Sequence, residues 1–539
     1  MYNLLTDDPP EIRHAIGALV YDYLIAKKFN SSESESRGED DNSSKIHLER
    51  MLRILDEFPP NPILITYMID DVWDYMKAMK DWKCIISMLL DENSSITNES
   101  KTNLVRLMCA SVKKAVGEKI VPAIDNRKQY YNKAQKEVFE NNERDITIAM
   151  MESYPLLLQK FISYEAKVSL LVEIVLFMNL ELYSLKRQEQ NFKNFLQLIK
   201  DLFFKHGDKD PLRACVKAIN FCCVEGRGEL QDVARNNLKE LEDLIIDNLE
   251  SAIREVKAGG DEYSLLVNLR RLYELQLSRY VPIDNLYEDI VMVLCDVRNM
   301  EDEVVGLLLQ NLHFDLAWSL KFVLDKESVS DASLKTLLSK RDTLLQELEY
   351  FVNLVTDDSN EGDKSGSELG GRVCTMLAET WCLFRMTNFS KTGLERLGYR
   401  PNAYVLQKFI KLCQQQLNVS DEVEDDDVNK EETNRCAVLV GACKLIYTAV
   451  VPKDYLAPEI ISHFVMHGTG VAEIVKYLIT FLKKRKDDLA AIFLEALKKA
   501  YHRHTVDNSG NDDISSENSF SECKNLAVQI NTTYIVNLA

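Results

Sequence analysis

Hydrophobic positions between residues 192 and 225 recur with the period of an α-helix. The first run has the spacing i, i+3, i+4, i+7 and consists of Phe195, Leu198, Ile199 and Leu202. The second run repeats that spacing through Leu212, Cys215, Val216 and Ile219. Between the runs, Gly207 is a stop signal, Asp208 and Asp210 offer capping oxygens, and Pro211 suits a first helical turn. The pattern predicts two helices of about 14 residues in an antiparallel hairpin, which must stack on neighbours to bury both apolar faces.

The same periodicity extends over most of the chain. It predicts helices at 11–25, 46–56, 61–90, 100–119, 123–140, 144–161, 166–185, 230–256, 263–280, 284–298, 302–324, 331–355, 371–386, 403–417, 434–450, 458–467, 471–484 and 487–503. Strict alternation is nearly absent, and the 539 residues contain only 19 glycines and 12 prolines. We therefore expect an all-α fold, an irregular α-solenoid of stacked antiparallel helix pairs.

The first residues carry a motif that resembles a HEAT repeat. Its pattern, L-L-x-D-x-P-x-I-R-x-A, runs from Leu4 to Ala15. In such repeats the proline punctuates the turn, and the Asp and Arg can link successive repeats. A generic capped helix hairpin is the alternative interpretation of this single match.

Three polar segments hold most of the net charge of −20. Residues 31–41, 356–368 and 421–432 carry −4, −4 and −7, which leaves the packed body close to neutral. Because they lack apolar residues to bury, we expect loops there. The resulting plan is a partial repeat at 1–30, an acidic loop at 31–45, a repeat array at 46–355, an acidic loop at 356–370, helical repeats at 371–420, an acidic loop at 421–433, C-terminal repeats at 434–505 and a polar tail at 506–539.

The 12 cysteines indicate a reducing compartment. None has C-x-x-C spacing, and several lie in apolar helical runs, as buried free thiols do. The N-terminus has no secretory signal pattern, and no apolar run approaches a transmembrane length. These features predict a soluble intracellular protein.

Motifs for catalysis are absent from the sequence. There is no P-loop, dinucleotide fingerprint, H-E-x-x-H zinc motif, nucleophile elbow or EF-hand loop. His502 and His504 lack partners at metal-ligand spacing, and Cys222 and Cys223 fit core packing better than redox chemistry. We expect no enzymatic activity, cofactor, metal or small-molecule substrate.

Two clusters of basic residues are candidates for contacts with DNA phosphates. The first consists of Lys483, Lys484, Arg485, Lys486, Lys498, Lys499 and Arg503. The second consists of Arg127, Lys128, Lys133 and Lys136, with Tyr130 and Tyr131 between them. Cations at these spacings could follow a phosphate backbone, and a solvated helix surface with ordinary ion pairs is the alternative.

Several collinear segments resemble the stromalin or stromal-antigen family, the HEAT-rich subunit of cohesin, and its plant branch most. They begin with D-D-V-W at 70–73 and M-K-D-W at 79–82. The segment from 154 to 199 follows, where the family pattern fits Pro155, Lys160, Lys167, Val168, Glu181, Leu182, Tyr183 and Ser184. LAWSL at 316–320 and ACKLIY at 442–447 complete the series. Family members are about twice this length, so the resemblance implies a C-terminal half without the stromalin conservative domain.

The resemblance also implies a function, a location and partners. It implies a structural subunit in the nucleus, on chromatin, that binds the kleisin subunit of cohesin and, through it, the SMC ring. Direct contact with DNA or chromatin is left open, and no membrane is expected as a partner. Lys444 lies in the ACKLIY helix, where the family presents a lysine towards the kleisin; a helix lysine that only covers apolar surface is the alternative. Arg270 and Arg271 are further kleisin candidates because of their charge. A transport or trafficking adaptor on the same fold is the rival interpretation.

Overall fold

A computed structural model describes residues 10–26, 40–57, 62–92, 97–121, 130–295, 300–326, 329–356, 366–390, 393–417, 425–485, 487–507 and 513–535. These residues form 24 α-helices and no strand, and one isolated bridge joins Arg385 to Tyr399. The expected all-α architecture of packed helix pairs is confirmed. Among the described helices, no 18-residue stretch combines the hydropathy and the scarcity of charge that a bilayer span needs.

The chain divides into two compact units, residues 1–249 and 250–539. Helices of unit 1 are α1 (Pro10–Val20), α2 (Asp40–Asp56), α3 (Pro62–Val72), α4 (Trp82–Leu90), α5 (Asn98–Ala115), α6 (Lys133–Met150), α7 (Tyr154–Phe161), α8 (Glu165–Glu173), α9 (Glu181–Leu185), α10 (Glu189–Lys205) and α11 (Lys209–Glu225). The long helix α12 (Glu229–Lys257) contains the boundary. This division falls inside the single array that the sequence predicts for 46–355.

Unit 2 continues the pattern of helix pairs. Its helices are α13 (Tyr263–Gln276), α14 (Tyr287–Cys295), α15 (Asp302–Leu324), α16 (Asp331–Thr356), α17 (Gly366–Leu383), α18 (Met386–Phe389), α19 (Ala403–Leu417), α20 (Asp425–Tyr447), α21 (Lys453–Ser462), α22 (Thr469–Lys484), α23 (Leu489–Asp507) and α24 (Asp513–Ile535).

Each unit stacks its helices in two layers. In unit 1, α1, α3, α5, α8 and α11 pack in that order, and α2, α4, α7 and α10 form the second layer. In unit 2, α13, α15, α17, α20 and α22 form one layer, and α16, α19, α21 and α23 lie in the other. The predicted hairpin at 192–225 is the pair α10 and α11, and Phe195 and Ile219 are buried in it as expected. Asp208 occupies the N-cap position, but its side chain makes no capping hydrogen bond there.

Several predicted boundaries were wrong for identifiable physical reasons. The predicted helix 61–90 is broken between α3 and α4, because Asp81 accepts a hydrogen bond from the Cys84 amide and starts a new helix. The predicted loop at 421–433 is helical from Asp425, where Glu431 pairs with Arg435 one turn later at 3.2 Å. The predicted tail at 506–539 contains α24, which buries Leu526 and Ile530 against α23. Asp40 likewise begins α2 inside the predicted loop 31–45, and Gly366 begins α17 inside 356–370.

Candidate partner-binding surfaces

Lys444 lies where α15, α17 and α20 meet. Its Nζ is 2.9 Å from Oε1 of Glu379, whose other oxygen lies 3.5 Å from Nε2 of His313. The hydrogen bond from His313, and then that from Lys444, hold the pKa of Glu379 at about 2 in spite of its burial. The Lys444 side chain is 47% exposed, so it remains accessible to a partner while its charge is already balanced within the fold.

Arg270 and Arg271 have different environments although they are adjacent on α13. Arg270 donates to Oε1 of Glu303 from both Nε, at 3.0 Å, and Nη2, at 2.6 Å, and thereby joins α13 to α15. Arg271 is buried and donates to Oδ1 of Asn268 at 3.0 Å. Burial lowers the pKa of Arg271 from its ordinary value. A docked peptide could therefore reach Arg270, which is partly exposed, whereas Arg271 packs inside the protein and is not accessible to a partner.

The basic cluster near the C-terminus divides into exposed and paired residues. Lys484 and Arg485 are exposed at the end of α22, where cations also favour the negative end of the helix dipole. Lys483 is half-buried beside them, and Lys486 lies outside the described residues. Lys498 is exposed and pairs with Glu495 one turn earlier at 2.7 Å.

Lys499 and Arg503 bind a buried carboxylate instead. Oε2 of Glu459, on α21, accepts hydrogen bonds from Nζ of Lys499 and Nε2 of Gln414, both at 2.8 Å. Nη1 of Arg503 lies 3.4 Å from the other oxygen, and its Nη2 donates to the carbonyl and hydroxyl oxygens of Ser462 at 3.0 and 2.9 Å. Burial opposes ionisation, but hydrogen bonds from His463, Lys499 and Gln414 outweigh it and hold the pKa of Glu459 far below its ordinary value. These two cations tie α23 to α21, which leaves fewer charges in the cluster for DNA than the sequence suggests.

The second basic cluster is only partly described. Arg127 and Lys128 lie outside the described residues. Lys133 and Lys136 are exposed on the first turn of α6, and Tyr130 is 94% exposed just before it.

A groove of about 1050 Å³ crosses four neighbouring helices in one layer of unit 1 and was not predicted from the sequence. We call it the unit 1 groove; α3, α5, α8 and α11 line it. Small residues on three of these helices, Ala110, Ala166 and Ala214, are part of its lining. Helices pack about 8–10 Å apart, so four of them span roughly 24–30 Å, the length of about eight residues of extended peptide.

Both signs of charge line the unit 1 groove. The basic residues are Arg106, Lys113, Lys119, Lys209, Arg213 and Lys217, and the acidic residues are Glu165, Glu173, Asp208 and Asp210. Glu173 lies in the middle, with its oxygens 3.3 Å from Nζ of Lys113 and 3.0 Å from Nζ of Lys217. The groove thus offers an apolar floor with polar contacts of both charges, which is suited to an extended polypeptide.

The motifs that carry the family resemblance have structural roles. Asp70 of D-D-V-W pairs with Arg13 at 3.5 Å and with Lys114, and so links α1, α3 and α5. Asp81 of M-K-D-W caps α4, and Trp82 is buried. Lys160 donates to the carbonyl oxygen of Leu90 at 2.9 Å, at the end of α4.

One group in this region has the atom types of a metal site. His14, Asp70 and Asp71 bring ligand atoms within 4.8 Å of one another. Arg13 and Lys114 both pair with Asp70, and their positive charges also act on Asp71, so the charges within the fold account for the cluster without a metal. Burial raises the pKa of Asp71 to about 7.

Comparison with known proteins agrees with the fold. The profile of the cohesin subunit SCC3/SA HEAT-repeats domain matches residues 67–318. Sister-chromatid cohesion protein 3 of Arabidopsis thaliana is 57% identical over 99% of this chain and 49% of its own length. Cohesin subunit SA-3 of Homo sapiens is 23% identical over 86% of this chain and 38% of its own, and cohesin subunit SA-1 of Xenopus laevis is 22% identical over 78% and 34%.

The chain thus spans about half the length, or less, of the curated relatives that it matches. Over that span the similarity covers both units, and it agrees with the helical repeats observed in each. The chain belongs to the SCC3/SA family of cohesin subunits.

Proposed function

We propose that this chain is the helical scaffold of a cohesin complex and that it binds an extended segment of the kleisin subunit in the unit 1 groove. The groove carries the proposal, because its length, apolar floor and mixed charges match the needs of an extended polypeptide. Its walls are also held in place. Lys113 and Lys217 meet on Glu173, so α5, α8 and α11 are joined beneath a docked segment. Through the kleisin the chain joins the SMC ring and acts on chromatin in the nucleus.

A binding assay with overlapping kleisin peptides tests this proposal. Labelled 25-residue peptides from the kleisins of the same organism are titrated with the full chain by fluorescence anisotropy. Ala166→Trp places a bulky ring in the groove and should weaken the binding peptide at least about tenfold, since an occluded pocket loses its buried contacts. Gln197→Trp, at an exposed position on α10, is the matched control and should have little effect. Equal affinity for both variants would exclude the groove, and no binding by any peptide would favour an adaptor function instead.

Lys444 and Arg270 are proposed as additional kleisin contacts in unit 2. Both are accessible, and both already bind a carboxylate that a partner's acid would have to displace. Lys444→Glu should weaken kleisin binding, whereas Lys476→Glu, at an exposed position on α22, should not. The same titration measures both.

Weak, sequence-independent DNA binding is a second proposal, now centred on Lys483–Lys486 rather than on all seven basic residues. Lys484 and Arg485 support it because they are exposed, unlike Arg503. Reversing Lys483 and Lys484 to glutamate should weaken the binding of unrelated duplexes equally. The slope of log affinity against log salt concentration should also become less steep, by roughly 0.9 for each phosphate contact that is lost. Anisotropy at low salt measures this, and unchanged affinity would show that these lysines only form a solvated helix end.

A further inference from the structure

A separate pocket of about 520 Å³ opens in unit 2, and we call it the basic pocket. It lies where the segment after α17 meets the turn after α20 and the first residues of α21. Arg385 and Arg400 contribute from the first segment, Lys453 from α21, and Arg485 from the end of α22. None of the kleisin candidates named above lines it.

Positive charge dominates the rim of the basic pocket. Against these four cations, Asp454 is the one acid in the lining. Asp487 lies nearby, binds Nζ of Lys453, and is 3.9 Å from Nε of Arg485. The Arg385 guanidinium donates to the Thr448 carbonyl oxygen at 3.4 Å, whereas Arg400 is exposed to solvent. Even with both acids counted, two positive charges remain for a ligand.

The floor of the basic pocket is apolar and its walls are fixed. Met386, Ile446 and Val451 lie in the lining, and Met386 is 53% exposed. The wall around Tyr399 is held by its amide, which donates to the Phe384 carbonyl oxygen at 2.6 Å. A pocket that is already formed needs little ordering when a ligand binds, so the affinity lost to reorganisation is small.

The opposite wall is a fixed turn. The amides of Ala449 and Val450 donate to the carbonyl oxygens of Ile446 and Leu445, which closes the end of α20. Buried Arg341 supports the other side by donating to the Leu397 carbonyl oxygen at 2.6 Å.

Two acid-rich segments, residues 357–365 and 418–424, precede α17 and α20 in the chain. They are therefore joined to the start of each helix, whereas the basic pocket lies at the end of each helix. The two helices are parallel, since Gly371 packs on Asn434 near their starts and Arg385 meets Thr448 near their ends. At 1.5 Å per residue, helices of 18 and 23 residues place their starts roughly 27–35 Å from the basic pocket. Residues 357–365 and 418–424, which are joined to the fold at both ends, are too few to span that distance out and back at about 3.5 Å each. Neither of these two segments is long enough to be the occupant, so a partner protein is the occupant that we consider.

We propose that the basic pocket binds an acidic segment of a partner protein, with one apolar side chain on the floor and carboxylates on the rim cations. Charge complementarity favours an anionic partner, and the apolar floor favours a peptide over DNA. Duplex DNA presents its phosphates on a convex surface, and its apolar thymine methyl groups are recessed in the major groove, away from those phosphates.

Selection from a random 12-residue peptide library on the immobilised full chain tests this site. We expect enrichment of an apolar residue flanked by at least two Asp or Glu residues. The selected peptide is then titrated against three forms of the protein. Arg400→Glu should weaken it at least tenfold, while Lys335→Glu, the same charge change at an exposed position on α16, should weaken it less than twofold. Arg400 is exposed, so its reversal should leave the fold intact, which circular dichroism checks.

Two results would overturn the proposal. One is that the selected peptides are not enriched in Asp or Glu, or that they bind the parent and the Arg400→Glu variant with the same affinity. The other is binding of a 20-base-pair duplex that weakens with Arg400→Glu while no acidic peptide is selected, which would make the site a DNA contact. Neither result bears on the kleisin groove, since that groove lies in unit 1.

Discussion

Replacing Glu459 with glutamine should destabilise unit 2 far more than its single charge suggests. The carboxylate is 4% exposed and binds Lys499 and Gln414 at 2.8 Å and Arg503 at 3.4 Å. Glutamine keeps the shape but removes the negative charge, so two cations face each other without a counter-charge. Breaking a buried ion pair by removing one partner costs about 3–5 kcal/mol. Because Lys499 is 36% exposed and can turn towards water, we take the lower end, about 3 kcal/mol.

Thermal unfolding followed by circular dichroism measures this loss. For a unit of this size, about 3 kcal/mol lowers Tm by roughly 6 °C. Glu495→Gln is the matched control. It removes a carboxylate from an exposed pair with Lys498, and both residues lie on α23, the helix that also carries Lys499. The control should shift Tm by less than about 1 °C. Adding Lys499→Met to Glu459→Gln should recover part of the loss, since it removes one stranded charge. Equal Tm values for the two glutamine variants would refute the reasoning.

The effect should also depend on pH with a definite sign. The pKa of Glu459 is lowered in the folded state, so its stabilisation is complete above the ordinary glutamate pKa of about 4.3 and is lost as pH falls below it. The Tm difference between the parent and Glu459→Gln should therefore be constant from pH 6 to 7.5 and shrink below about pH 4.3. A difference that grows on acidification would contradict the assignment.

Three further outcomes follow from other environments in the fold. Burial raises the pKa of Asp71 to about 7, so the folded state resists ionisation of this carboxyl. Asp71→Asn should therefore raise Tm at pH 8 and have little effect near pH 4, and a Tm that falls at pH 8 would contradict this. Ala449 has φ +54° at the end of α20, a left-handed conformation that costs a non-glycine residue about 1 kcal/mol, so Ala449→Gly should raise the free energy of unfolding by about that much in urea titration. Cys295 is exposed, whereas burial raises the pKa of Cys215 to about 12, so mass spectrometry should find iodoacetamide on Cys295 long before Cys215.

The sequence predicted which segments are helical, but the points where helices begin and break depend on local hydrogen bonds that the apolar pattern does not show. The predicted bounds of α15 and α19 match the structure, because a long apolar pattern ends at polar residues on both sides of each helix. The break before α4 was missed because apolar residues continue through it, and its signal was the capping position of Asp81. The helical start of α20 was missed because eight acids in twelve residues resemble a disordered segment. In the structure one of them, Glu432, accepts from the Gly470 amide at the start of α22, where a carboxylate is favoured.

The binding surfaces were harder to predict because they depend on contacts between repeats. Sequence identifies Lys499 and Arg503 as cations, but Glu459, which neutralises them, lies 40 and 44 residues away. The unit 1 groove arises from four helices that are distant in sequence. Alanines on α5, α8 and α11 belong to its lining, but their positions in the sequence do not show that they meet in one groove.

Charges that link successive repeats recur throughout both units, and this decides how charge-reversal experiments on the protein should be interpreted. Arg270 with Glu303 and Lys444 with Glu379 each join neighbouring helices of one layer, as the Glu459 network does in the other. A cluster of lysines and arginines in a helical repeat is thus partly used by the next repeat before any partner arrives. Reversal of an exposed cation such as Lys484 should change binding without changing Tm. Reversal of Arg503 should lower Tm first, so a loss of binding in that variant would report on the fold and not on a contact with DNA.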